Sequence, residues 1–548
     1  MNADKLHSRF PELVDQYSQG KMSRRQFLRF SALLGVSLTA ASAAVGLPLP
    51  KGVWAAEPKR GGVLKISAQI QKVTHPAQFS WIMPSNIIRQ VAEYLTVTGP
   101  DNVTRPYLAE KWTVSDDLKT WTFDLRKGIK FNNGDDFSAD DVIFTIQQWL
   151  NADVKSSILG LMGAYLDPAG VEKANDHQFI LNLKKPEIAV PEHFFHYPAP
   201  ILNHKTFQGD FLKAPHGTGP YTIETYDEGS VAVLKARTDY WQMGVDGKPL
   251  PYLEGMKFID LGGELAPQIA ALKSGEVDLI DNSDSPGPTV MKAVTGDGNI
   301  QVLPEPTGTT RVLRMRADTK PFDDPNVRLA LKLCQHREKI LGLAYQGEGL
   351  QGQDTHVYPK HPEYCEVETP AFDPAKAKQL LAEAGYPDGI TVDLAVGSEW
   401  TDVVRYAEVL QQDAAQAGIK INLQTMPTSQ YWERWTEVAF GITPWTHRPL
   451  GTMILNLAYV ADAEGKPVAW NETRWVDAEF SELLTQANGT LDVEKRRAIM
   501  CKLENIQQER GSIGIAYWMN TWMCPRKSLN NVQAHPNLYM LFNEAWLA

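Results

Sequence analysis

The sequence predicts an α/β protein with mixed sheets and more than one core. Three observations predict it. At 548 residues, 43% hydrophobic and 22% charged, the chain is globular material too long for a single core. Between 390 and 445, strand-like and helix-like runs alternate at the spacing of a βαβαβ unit. Earlier, a hairpin pattern stands beside a capped amphipathic helix. The net charge of −11 comes without long like-charge runs and excludes nucleic acid, which calls for a basic face.

In chain order, the first distinct element is a leader. Residues 21–29 read Lys-Met-Ser-Arg-Arg-Gln-Phe-Leu-Arg and precede a weakly apolar run, 30–49, rich in Ala, Gly and Ser. This segment resembles a twin-arginine export signal carried by Arg24, Arg25, Phe27 and Leu28, with Val53-Trp54-Ala55 as a small-x-Ala cleavage site. The alternative is an uncleaved amphipathic anchor. A strand is expected at 61–66, then a hairpin from 112–114 and 121–125 around 116–120. Ser138 to Asp141, ahead of Val142, Ile143, Phe144, Ile146 and Trp149, forms a capping box. Asp140 and Asp141 are therefore caps rather than an acid/base pair.

Asp324-Pro325 starts a helix expected to run through Val327, Leu331, Cys334 and Ile340; Asp373-Pro374 starts another, stopped by Gly385 and Pro387. Next come a strand at 390–396, a helix at 402–417, a strand at 419–426, a short helix from 429 and a strand at 440–445. Arg311, Arg314 and Arg316 read as an alternating, solvated strand. Cys334, Cys365, Cys501 and Cys524 allow up to two disulfides in three pairings once the chain is exported, with buried free thiols as the alternative. His193 and His196 lack a third ligand at motif spacing, so no metal is expected.

Ordered blocks along the chain carry a family resemblance. They are 106–112 (Pro-Tyr-Leu-Ala-Glu-Lys-Trp), 121–131 followed by Gly134 and 138–142, 217–221 (Gly-Thr-Gly-Pro-Tyr), 239–241 (Asp-Tyr-Trp), 271–278 and 373–386. Together they resemble family 5 of the bacterial extracellular solute-binding proteins, the oligopeptide, dipeptide and nickel binders. The resemblance implies a periplasmic binding protein fold of type II, cluster C: two lobes and a hinge. It divides the chain into the leader, 1–55; lobe I, 56–98, 215–305 and 513–548; a subdomain inserted in lobe I, 99–214; and lobe II, 306–512. It further implies a monomeric periplasmic protein that traps a small-molecule solute by hinge closure, delivers it to ABC permease subunits, and needs no cofactor.

Peptide binders of this family place an Asp shortly after a Trp at the end of a lobe II strand. Here that stretch reads Thr443-Pro444-Trp445-Thr446-His447-Arg448-Pro449, and Arg448 stands nearest the missing acid. Its fork of donors suits a carboxylate, phosphate, sulfate or several hydroxyls, with a salt bridge as the structural alternative. By the same resemblance Trp81, Trp400, Trp445 and Tyr459 lie near the cleft, where they stack on a ligand or simply pack. Trp112, Trp121, Trp149 and Trp241 are read as core. No catalytic residue is assigned: the sequence holds neither Gly-x-Ser-x-Gly nor His-Glu-x-x-His, and Gly217 to Pro220 is a turn rather than a phosphate cradle. The expected function is solute capture for an ABC importer, possessing as its alternatives ordinary oligopeptide binding, a secreted hydrolase, or a sensor.

Overall fold

The computed structural model describes residues 7–47, 57–79, 81–281, 287–462 and 464–548. Among these the chain divides into two units. The first comprises the chain up to 281 with Val290–Leu303 and Met523–Ala548; the second comprises 287–289 and Pro304–Trp522.

In the first unit, a five-stranded sheet runs in the order Leu279–Ile280, Val63–Ser67, Gly255–Ile259, Val231–Ala236, Tyr221–Asp227. The first three strands are parallel and the others antiparallel. A separate four-stranded antiparallel sheet is formed by Ala109–Val114, Thr120–Leu125, Gln178–Asn182 and Val171–Asn175. Helix Ala139–Leu150 covers it, and its N-terminus holds both halves of the capping box: Ser138 Oγ accepts the Asp140 N–H (3.3 Å), and Asp141 Oδ2 accepts the Ser138 N–H (2.9 Å). Asp141 Oδ1 also accepts the His204 N–H (3.0 Å), and Asp140 pairs with Lys173, so neither aspartate is disposed as an acid/base couple. Trp112, Trp121 and Trp149 are buried, and Phe123 stacks on Phe179 at 5.0 Å. Aromatic area fills this small core, where each ring removes far more apolar surface from water than an aliphatic side chain does.

Gly217 and Gly219 lie against the backbone of Gln90 to Ala92. A Cβ on Gly217 would stand 2.0 Å from Val91 O, so only a residue without one permits the approach. The N-terminal helices pack on the same unit. Helix Arg24–Leu33 opens with its own capping box at Ser23 and Gln26 and buries Phe27, Phe30 and Leu33. Trp112 Nε1 donates to Leu33 O (3.1 Å), and Arg29 pairs with buried Glu192 (2.7 Å). Arg24 and Arg25 are exposed in its first turn, while Leu28 is half-buried. The expected cleavage site at 53–56 lies outside the described residues. Among the described residues no helix is long and apolar enough to cross a membrane.

The second unit holds a six-stranded mixed sheet in the order Gly349–Gln351, Ile513–Met523, Leu303–Met315, Phe440–Trp445, Ile390–Gly397, Ile419–Met426. The last three strands are parallel, with Ile390 opposite Ile419 and Gly397 opposite Met426. Helix Thr401–Ala414 connects two of them. This is the expected βαβαβ succession extended by antiparallel neighbours.

Three expectations need correction, and the cysteine pairing left open is resolved. The helix from Asp324 is two helices, Pro325–Leu333 and Arg337–Tyr345, because Cys334 to His336 breaks the run and His336 caps the second. Residues 513–522 belong to the second unit, since their strand is hydrogen-bonded in its sheet; the return lies at Met523. Arg311 and Arg314 are not solvated. They are 5% and 0% exposed and pair with Asp402 (2.6 Å) and Glu472 (3.2 Å). Finally, Cys365 and Cys501 form a disulfide with Cα atoms 5.0 Å apart, whereas Cys334 and Cys524 are free and buried in different units. Burial pushes each of those two thiols up to about 12.

Candidate functional site

In the second unit, the chain leaving strand Phe440–Trp445 enters a wall of aromatic rings, histidines and one arginine. The strand's six residues are all buried, so the polar side chains that follow are drawn into the interior with it. Trp445 Nε1 donates to Glu472 Oε1 (2.8 Å), and Thr443 Oγ1 donates to Glu472 Oε2 (2.6 Å). Burial raises the Glu472 carboxyl above its ordinary range, and Arg314 opposes that rise. Trp445 meets Trp470 at 5.8 Å and Trp435 at 6.4 Å, edge to face. Trp432 then connects Trp435 (5.7 Å) to Trp400 (5.3 Å).

His447 Nδ1 accepts the Gly308 N–H at 3.0 Å. That contact needs glycine, since a Cβ there would lie 2.9 Å from Nδ1. His361 Nδ1 accepts the Tyr358 N–H (3.0 Å), which leaves its Nε2 as the donor to Arg448 O (2.8 Å). Arg448, 2% exposed, donates from Nη1 to Thr446 O (3.2 Å), Thr446 Oγ1 (2.5 Å) and His447 O (3.0 Å). His356 Nδ1 lies 2.7 Å from the Tyr459 hydroxyl, and its ring meets Trp445 edge-on at 5.3 Å. Burial, then His361 and Arg448, hold His356 well below its ordinary value and therefore neutral. The side chains on this wall thus offer N–H donors, aromatic faces and the charge of Arg448.

Of the residues singled out from sequence, Trp445, His447, Arg448 and Tyr459 come together here, Tyr459 by way of His356. Trp400 (3% exposed) stands at the far end of the tryptophan series, packed on Tyr431 at 5.4 Å. Trp81 is a buried residue of the first unit. Sequence reasoning missed His356, Tyr358, His361 and Glu472. They lie in irregular segments whose periodicity says nothing, although Thr355-His-Val-Tyr-Pro is a dense run of ring-bearing residues. His193 and His196 are interior: His193 Nδ1 lies 2.8 Å from the Tyr165 hydroxyl. Among the described residues no group of three or more His, Cys, Asp or Glu is arranged to hold a metal.

The model of the bacterial extracellular solute-binding proteins, family 5, middle region, matches residues 104–451. The chain belongs to this family. As a family 5 protein it is the substrate-binding component of an ABC importer, a role performed in the periplasm or outside the cell. The dipeptide-binding protein of Pseudomonas aeruginosa is 27% identical over 469 residues, 79% of this chain and 84% of that protein. The fold matches that of the Helicobacter pylori periplasmic binding protein DppA in complex with the peptide STSA, with a TM-score of 0.78, 21% identity, and 89% and 98% of the two chains covered. It also matches AgaA of Agrobacterium tumefaciens R10 in complex with agropinic acid, with a TM-score of 0.79, 21% identity, and 89% and 99% covered. These family 5 likenesses account for the two mixed sheets of the α/β fold.

Proposed function

We propose that this family 5 protein captures a small solute bearing an anionic group, such as an opine, an acidic oligosaccharide or a modified peptide. Closure about a hinge between its two lobes would then present the solute to the permease subunits. The observation that carries this reading is Arg448, buried beside Trp445 and His447 on the loop where the family's peptide binders carry an acid. A guanidinium there favours a carboxylate over an ammonium group. Trp445, His447, Arg448 and Tyr459 form one wall of the site in this reading, and Trp400 backs it through the tryptophan series. The neighbour that holds agropinic acid gives independent support for an acidic solute in this fold. The relatives named for dipeptides favour the second reading, an ordinary peptide.

The protein acts as a monomer without catalysing a reaction, and it reaches the periplasm through the twin-arginine machinery. The exposure of Arg24 and Arg25 beside buried Phe27 and half-buried Leu28 supports that route. The test is a calorimetric comparison of an acidic solute with the free-amine dipeptide that best stabilises the protein. The acidic solute binds more tightly, and Arg448→Ala weakens it by one to two decades, about 1.5–3 kcal/mol. Preference for the dipeptide, untouched by Arg448→Ala, establishes the second reading.

A further inference from the structure

The first unit encloses a cavity of about 260 Å³, lined entirely by residues of that unit. Exposed Pro106 and Glu544 stand at its edge and open it to solvent, while Val97, Phe195, Met540 and Phe542 give it apolar walls. Two cations line it. Arg105 is spoken for by Asp101, which it meets at 2.5 and 2.9 Å. Arg89 is not. It is 6% exposed, and its one hydrogen bond among the described residues is a long one, from Nη2 to Ser85 Oγ at 3.4 Å. Its Nε and Nη1 have no partner there.

Three ring faces surround the guanidinium instead: Tyr539 at 3.9 Å, Tyr94 at 5.1 Å and Phe195 at 5.6 Å. Ring quadrupoles attract the charge but accept no hydrogen bond at the edge of the guanidinium plane. A cation taken this far out of water without a carboxylate is costly. It is best compensated by an acceptor with two parallel lone pairs, which a carboxylate supplies.

We propose that this cavity is a second binding site, distinct from the wall around Arg448, for a small organic monocarboxylate whose carboxylate meets Arg89 and whose apolar body fills the space between the ring and aliphatic walls. The volume falls below the roughly 300–1,000 Å³ of pockets for larger ligands, which restricts the guest to a small one. Glu544 at the opening disfavours a second negative charge, and the apolar walls favour a hydrocarbon body over inorganic anions.

The test uses the full chain and fluorobenzoate, followed by fluorine NMR, with fluorobenzamide as the uncharged counterpart. The carboxylate binds saturably and the amide does not. Arg89→Gln weakens the carboxylate by at least about tenfold, as expected for loss of a charge-assisted pair. Val97→Trp, a change on a half-buried wall residue, blocks the cavity without touching the arginine and gives the same loss. Any binding of the probe at the wall around Arg448 is the part that survives Val97→Trp, and Arg448→Ala leaves unchanged the part that Val97→Trp removes. The proposal is overturned by absence of saturable binding, by equal binding of acid and amide, or by an affinity that responds to Arg448→Ala and not to the two cavity variants.

Discussion

Arg314 and Glu472 are a fully buried ion pair at 3.2 Å, and Glu472 also holds Trp445 and Thr443 in place. Removing one partner strands the other charge in the interior. Arg314→Leu is therefore expected to lower the free energy of unfolding by about 3–5 kcal/mol, read from urea denaturation, and the double variant Arg314→Leu with Glu472→Gln recovers part of it. Titration acts at the same scale. Burial holds His193 at about 3 and His535 at about 4, below the ordinary 6.5. Between those values and 6.5 the unfolded chain binds protons that the folded chain does not, so these two histidines stabilise the fold above about pH 6.5 and that contribution is lost as pH falls toward 4 and then 3. Denaturation midpoints measured across that range should fall, and His193→Gln should flatten the decline. The sequence shows the charges of Arg311 and Arg314 but not their burial. Their partners Asp402 and Glu472 lie far along the chain, and an alternating strand looks the same whether its far face meets water or a helix.

Elements whose ends are written in local chemistry are legible, and those that depend on distant contacts are not. Ser138 with Asp141, and Asp373 with Pro374, mark helix starts because the capping groups sit within three residues of the backbone they satisfy. The break at Cys334 carries no such mark. Cys334 is a good interior residue, and only the fold shows that the chain turns there and begins a new helix at Arg337. The disulfide was open to three pairings because its halves are 136 residues apart, a separation that sequence spacing cannot bridge. Cys365 sits in an irregular segment and Cys501 on helix Val493–Arg510, so the bond fastens that segment to the helix. Its reduction should lower the stability of the second unit by about 2–4 kcal/mol, seen as an earlier unfolding transition in the presence of a reductant. Gly217→Ala tests a close approach between elements: with Val91 O only 2.0 Å from the new Cβ, we expect a loss of roughly 1–3 kcal/mol in the first unit.

For the whole molecule, the family was readable from short blocks in order, whereas the composition of the site was not. Trp445, His447 and Arg448 are adjacent in sequence and could be singled out. His356 and His361 join them only because the segment after Gln351 folds against Trp445, Arg448 and Tyr459. The solute is therefore the part of the account that the residues constrain only by charge and shape. The most direct measurement is the thermal stability of the protein against a library of opines, organic acids, acidic oligosaccharides and peptides, with each stabilising compound recovered and its mass determined. We predict that an anionic compound at roughly 100 times its dissociation constant adds about 2.7 kcal/mol of stability and is recovered unchanged. Consumption of the stabilising compound on incubation, with a product accumulating in proportion to time, would contradict the account and make the protein an enzyme.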